Sequence, residues 1–129
     1  MIVDGRLLKV TGKFLRVARL DAESFLHARY IVLWACNSVS TNLHHWHVIQ
    51  QARKRGAKLV VIDAYRSRTA RLADWHIMPR PGTDGALAMA LMQVLFAEDL
   101  VDHDYLERHT VGHAELAERA RARTPEWAE

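Results

Sequence analysis

Two short runs of the chain are apolar without interruption: Tyr30 to Trp34 (YIVLW) and Leu59 to Ile62 (LVVI). Strands buried on both faces read this way, because helices cover each side of a parallel sheet. Between the runs, a mixed segment from about Asn42 to Arg55 predicts a helix, closed by Gly56 as a left-handed cap. Arg53, Lys54 and Arg55 then sit at the negative end of its dipole. Strand, helix and strand in this order make a βαβ unit, so the two strands are expected to be parallel neighbours with a right-handed crossover.

A shorter extended piece is expected at His76 to Met78. After a turn at Pro81-Gly82, Ala86 to Phe96 is almost entirely apolar, which predicts a helix buried on most sides. Asp102 or Asp104 starts a short helix with Tyr105 and Leu106 inward, and Gly112 breaks it. His113 to Arg123 is amphipathic, with Leu116 and Ala117 inside. Thr124-Pro125-Glu126-Trp127 announces one more helix (cap, Pro at the first position, first-turn acid) at the very end of the sequence, which therefore reads as part of a longer protein. At the other end, Asp21 caps a helix with Phe25, Leu26 and Ala28 inward. Before it, Asp4-Gly5 and Thr11-Gly12 mark turns of a hairpin carrying Leu7, Leu8, Val10, Phe14, Leu15 and Val17. The expected fold is α/β, a Rossmann-like three-layer fragment with parallel strands and a helical C-terminal third. Residues 1–20 form a separate N-terminal segment, and residues 21–129 an incomplete nucleotide-binding domain.

Composition narrows the class. The chain has 129 residues, half of them hydrophobic and 26% charged, enough for one domain with a core of real size. A single cysteine, Cys36, excludes an internal disulfide framework and suits the reducing cytoplasm. No apolar run approaches the ~18 residues of a membrane span, and the first residues lack the apolar segment of a secretory signal. The net charge of +3 is mildly basic. Arginines spread over solvated helix faces are the first explanation, and a basic edge facing a phosphate-bearing ligand is the second. In the C-terminal third they alternate with acids, which argues against a nucleic-acid stripe.

Three polar clusters fall at one predicted sheet edge: Ala35 to Thr41, Asp63 to Arg66, and Arg80 to Asp84. Ligands of open α/β sheets bind beyond the carboxyl ends of the strands, where all three lie. Asn37, Ser40 and nearby main-chain amides suit a phosphate. Asp63 suits ribose hydroxyls, and Gly82 allows close backbone approach. Asp84 can accept two adjacent N–H donors, which guanine offers and adenine does not. Each residue also has a plain structural reading: Asp63 as a turn residue, Asn37 and Ser40 as caps, Thr83-Asp84 as an N-cap pair. No Gly-x-Gly-x-x-Gly fingerprint is present, which disfavours an ordinary dinucleotide site. His44, His45 and His47 lack partners at ligand spacing, so no metal site is assigned. No histidine is placed by sequence to activate Cys36, so no catalytic residue is assigned either. Trp34 and Trp75 read as core or rim packing.

The string IVLWACNSVSTNLHHWHVIQQARKRGAKLVVIDAYRSRTARLADWHIMPRPGTDGALAMAL, with DHDYLERHTVGHAEL and TPEW after it, resembles the molybdopterin oxidoreductases of the dimethyl sulfoxide reductase and formate dehydrogenase superfamily. It is similar to their domain for the guanosine half of a molybdopterin guanine dinucleotide, and covers about Ala28 to the C-terminus. The resemblance implies that Ala35, Cys36, Asn37 and Ser40 contact the phosphate side. Ile62, Asp63, Ala64 and Tyr65 would flank ribose and guanine, with Arg80, Gly82 and Asp84 completing the base pocket. Family members usually have Gly where this chain has Ala35 and Pro where it has Ala64. They also ligate molybdenum, and often an iron–sulfur cluster, through regions not seen in this sequence, and one cysteine cannot hold a cluster. The implied role is binding of the guanosine diphosphate part of the cofactor, with oxygen-atom or hydride transfer requiring the remaining domains or subunits of the enzyme as partners. A degenerate fragment or interaction subunit, keeping the fold without the ligand and self-associating through exposed apolar surface, is the alternative, and a general nucleotide-binding module is a second.

Overall fold

The structure is a computed structural model that describes residues 2–3, 6–7 and 22–129. The chain divides into two compact units, Met1–Met78 and Pro79–Glu129.

In the first unit, β1 (Ile2–Val3) and β2 (Arg6–Leu7) pair antiparallel. The remainder of the hairpin expected up to Val17, and the Asp21 cap, lie outside the described residues. The segment expected as a helix behind Asp21 is a tighter 3-10 turn, Ala22–His27, whose Phe25 is buried. A parallel sheet comes next, of β3 (Tyr30–Trp34), β4 (Lys58–Ile62) and β5 (Trp75–Ile77), in the order β3-β4-β5. Register runs from Tyr30↔Lys58 to Trp34↔Ile62, and from Val60↔Trp75 to Ile62↔Ile77. The α/β expectation and its parallel βαβ unit are thus found.

Strand position explains the burial. Central β4 is covered on both faces, so Leu59, Val60, Val61 and Ile62 are all buried. β3 has β4 on one side. Ile31 and Leu33 are buried, while Val32 and Trp34 are half-buried and Tyr30 is exposed. Its apolar run therefore overstated its burial. Trp75, expected to pack in the core or at its rim, stands exposed on β5, which among the described residues pairs only with β4. A core of Phe25, Ile31, Leu33, Ile49, Leu59 and Val61 forms between the sheet and α2 (Leu43–Lys54). Asn42 caps α2 by accepting His45 N–H, and Gly56 at φ 100° closes it as expected. The loop expected from Ala35 to Thr41 contains one helical turn, α1 (Ser38–Thr41).

The second unit is helical: α3 (Asp84–Ala97), α4 (His103–His109), α5 (His113–Arg121) and α6 (Pro125–Ala128). α3 packs against α5 and α6. It was expected to be buried on most sides, yet Ala90 is its one fully buried residue and Leu91 is exposed. Two short helices do not cover the circumference of a helix that is apolar all round. On α5 the buried position is Ala120, with Leu116 and Ala117 half-buried. Asp102 caps α4, and Thr124 caps α6 by accepting Trp127 N–H, with Pro125 opening the helix. Among the described residues no helix is long and apolar enough to cross a membrane.

Candidate functional site

β3 and β4 end side by side, and the two loops that leave these strand ends build the site. β4 delivers Asp63, whose backbone is held on both sides: its N–H donates to Ile77 O at 3.1 Å, and its carbonyl accepts from His76 Nε2 at 3.1 Å. A carbonyl only accepts, so His76 must carry its proton on Nε2. Asp63 is only 9% exposed. Its carboxylate has no hydrogen-bond or ion-pair partner among the described residues. No described side-chain oxygen is both buried and unpartnered, so the Asp63 carboxylate, on a residue that is largely covered, meets solvent at the sheet edge and is open to a ligand. Ile62 before it is buried, whereas Ala64 and Tyr65 after it are exposed.

Ala35 extends the β3 ladder by donating its N–H to Ile62 O at 2.8 Å. Its φ is 52°, a left-handed conformation that favours glycine. That turn sends the chain away from the sheet and into Cys36 and Asn37.

Asn37 does not cap with its side chain; it reaches across to the loop after β4. Its Oδ1 accepts from Thr69 Oγ1 at 2.8 Å and from Thr69 N at 3.4 Å. Ser38 is fully buried, with its Oγ 3.3 Å from Cys36 Sγ and 3.0 Å from His45 Nδ1. His45 stacks edge-on against Phe25, and burial lowers its pKa below the ordinary histidine value. Ser40 is exposed within α1. The main-chain donors expected to face a phosphate are partly engaged: Val39 N donates to Thr69 Oγ1, and Ser40 N and Thr41 N donate to Asn37 O.

In the second unit, Gly82 has φ 86°, the conformation its turn requires. Thr83 directs its hydroxyl to Arg80 O at 2.8 Å rather than capping α3. Asp84 occupies the first turn of α3, and Arg80 and Asp84 are exposed.

Three residues that matter to the first unit went unassigned from sequence: Thr69, His76 and His45. Thr69 and His76 act through contacts 32 and 13 positions away, which no local pattern encodes. His45 was legible as one of a histidine group, but its partner Ser38 was not. Among the described residues no group of three or more histidine, cysteine, aspartate or glutamate side chains is placed to hold a metal ion.

A parallel sheet with a carboxylate and a tied polar loop at its carboxyl edge has the arrangement of open α/β domains, whose ligands bind beyond that edge. The sequence model of the molybdopterin oxidoreductase family matches residues 11–115, and the chain belongs to that family. It is 47% identical over 109 residues to "Probable oxidoreductase YoaE" of Bacillus subtilis, covering 84% of this chain and 16% of that protein. It is 35% identical over 109 residues to the thiosulfate reductase molybdopterin-containing subunit PhsA of Salmonella typhimurium, covering 83% of this chain and 14% of the relative. Among solved structures, acetylene hydratase from Pelobacter acetylenicus superposes with a TM-score of 0.65 at 31% identity, over 75% of this chain and 14% of that one. The chain thus spans about a sixth or less of the length of these relatives.

Proposed function

We propose that this chain binds the guanosine diphosphate part of a molybdopterin guanine dinucleotide, as part of a molybdenum-dependent oxidoreductase of the cytoplasm. The observation that carries the reading is Asp63, whose carboxylate stands at the end of the central strand, open to solvent and without a partner among the described residues. Two ribose hydroxyls would supply the donors it lacks. Asn37 supports the reading, because its amide oxygen is turned toward Thr69 and its Nδ2 donors form the opposite branch of the side chain. Phosphate oxygens require donors of that kind. Cys36, Ser40, Ile62, Ala64 and Tyr65 line the same two strand ends. In the second unit, Asp84 has the chemistry to read the two N–H donors of guanine, beside Arg80 and Gly82. These residues bind and orient; oxygen-atom or hydride transfer is the chemistry that bound molybdenum supplies, with the remaining domains or subunits as partners.

The competing reading is a chain that keeps the fold without the ligand, and Ala35 favours it, since a methyl group occupies a left-handed position where the backbone would approach the ligand. Calorimetric titration with guanosine diphosphate (GDP), with ADP in parallel and Asp84→Ala as control, separates the two. Binding of GDP over ADP, lost in the variant, is the expected result. Equal affinity would indicate a general nucleotide module, and silence at millimolar nucleotide would favour the ligand-free reading.

A further inference from the structure

Thr69 is fully buried on the loop after β4, yet its side-chain hydroxyl and its backbone N–H both hydrogen-bond across to the loop after β3. The bonding directions are fixed by chemistry. Thr69 N can only donate, so the Asn37 atom it meets must be the amide oxygen, and the orientation of that amide is thereby set. Val39 N can only donate, so Thr69 Oγ1 accepts from it at 3.1 Å and gives its single proton to Asn37 Oδ1 at 2.8 Å. One hydroxyl therefore holds the start of α1 and sets which end of Asn37 is left for a ligand.

We propose that Thr69 is a positioning residue: its buried hydroxyl locks the loop after β3 to the loop after β4 and holds the Asn37 amide in the orientation that accepts a phosphate. The proposal rests on the nucleotide-binding reading and adds a residue to it. Thr69 touches no ligand in this scheme, and its effect passes through Asn37 and Val39. A free Asn37 amide would present its oxygen to the phosphate about as readily as its nitrogen, and repulsion would replace attraction. Serine keeps the hydroxyl, valine removes it at nearly constant volume, and cysteine keeps the size with a weaker donor.

The test measures GDP affinity by calorimetry and exchange of the Val39 amide proton by NMR, on wild type, Thr69→Val, Thr69→Ser and Thr69→Cys, with circular dichroism to confirm folding. Thr69→Val removes two hydrogen bonds: losing the one to Asn37 is expected to weaken GDP binding by about fivefold to tenfold, and losing the one from Val39 N to speed Val39 exchange by a similar factor. Thr69→Ser should stay near wild type, and Thr69→Cys should fall between. If Thr69→Val does not fold, the ordering of wild type, serine and cysteine carries the same test. Faster Val39 exchange at unchanged GDP affinity would overturn the proposal, because the lock would then serve the fold alone. Wild-type binding with a Thr69→Val variant equal in both readouts would also overturn it. Absence of GDP binding by wild type would instead remove the reading on which it rests.

Discussion

Asp74 and Leu59 are joined in both directions: Leu59 N–H donates to Asp74 Oδ2 at 2.8 Å, and Asp74 N–H donates to Leu59 O at 2.9 Å. The pair ties the entry of β5 to the start of β4, and the Arg53 guanidinium stands 3.5 Å from the other carboxylate oxygen. The Leu59 N–H, followed by the charges of Arg53 and Lys58, holds the Asp74 carboxyl below its usual pKa.

Asp74→Ala is accordingly expected to cost about 1–2 kcal/mol near neutral pH, most of it from the bond to Leu59, since the partly exposed ion pair contributes little. A depressed carboxylate stabilises above its unfolded pKa of about 3.9 and loses that contribution as pH falls through the folded value. Urea unfolding of wild type and variant should therefore converge as pH drops below about 4. A difference that does not change with pH would contradict the assignment.

Ala35 sits at φ 52°. Ala35→Gly should raise stability by about 0.5–1 kcal/mol, the relief of a left-handed methyl group less the extra freedom glycine gains when unfolded. A shift of the urea midpoint to higher concentration, with unchanged slope, is the expected readout.

His45 is placed to titrate below the ordinary histidine value of about 6.5, because burial disfavours its charged form. With a lowered folded pKa, the unfolded chain binds the proton more readily, so stability is full above about pH 6.5 and declines as pH falls toward the folded value. Resonances of the His45 ring, followed by NMR from pH 8 to pH 4, should place its midpoint below about 6.5. A midpoint at or above that value would contradict the burial argument.

Ile49 is wholly buried under the sheet, while Trp75 is 61% exposed on β5. Ile49→Ala should cost about 2–5 kcal/mol, the usual range for a large-to-small change in a packed core. Trp75→Ala should cost less than about 1 kcal/mol despite removing the larger side chain. Denaturant curves on the two variants test whether burial or size governs.

The βαβ unit was legible because its signals are local: two β-branched apolar runs, a capped helix and Gly56. Asp63 was legible as the first polar residue after such a run. Partnership is the part that sequence could not supply. Val32, Trp34 and Trp75 look as apolar as Val60 and Val61, and only strand order decides which faces are covered. α3 illustrates the same limit, since its apolar composition states a need for cover without saying what provides it. Asn37 was legible as polar and near a strand end, but the direction of its amide is set by Thr69, far along the chain.

Asp63 permits the most direct test, because its carboxylate has no partner among the described residues and its proposed role is in binding alone. The carboxylate makes no bond within the described residues, so Asp63→Asn should change stability by less than about 0.5 kcal/mol. If the same carboxylate holds a ribose, the substitution should weaken GDP binding by about tenfold, close to 1.4 kcal/mol. Calorimetry and urea unfolding on wild type and Asp63→Asn measure both sides. Weaker binding with nearly unchanged stability is the predicted result. Unchanged GDP affinity, with or without a loss of stability, would contradict the ribose-binding role and return Asp63 to a structural one at the end of β4.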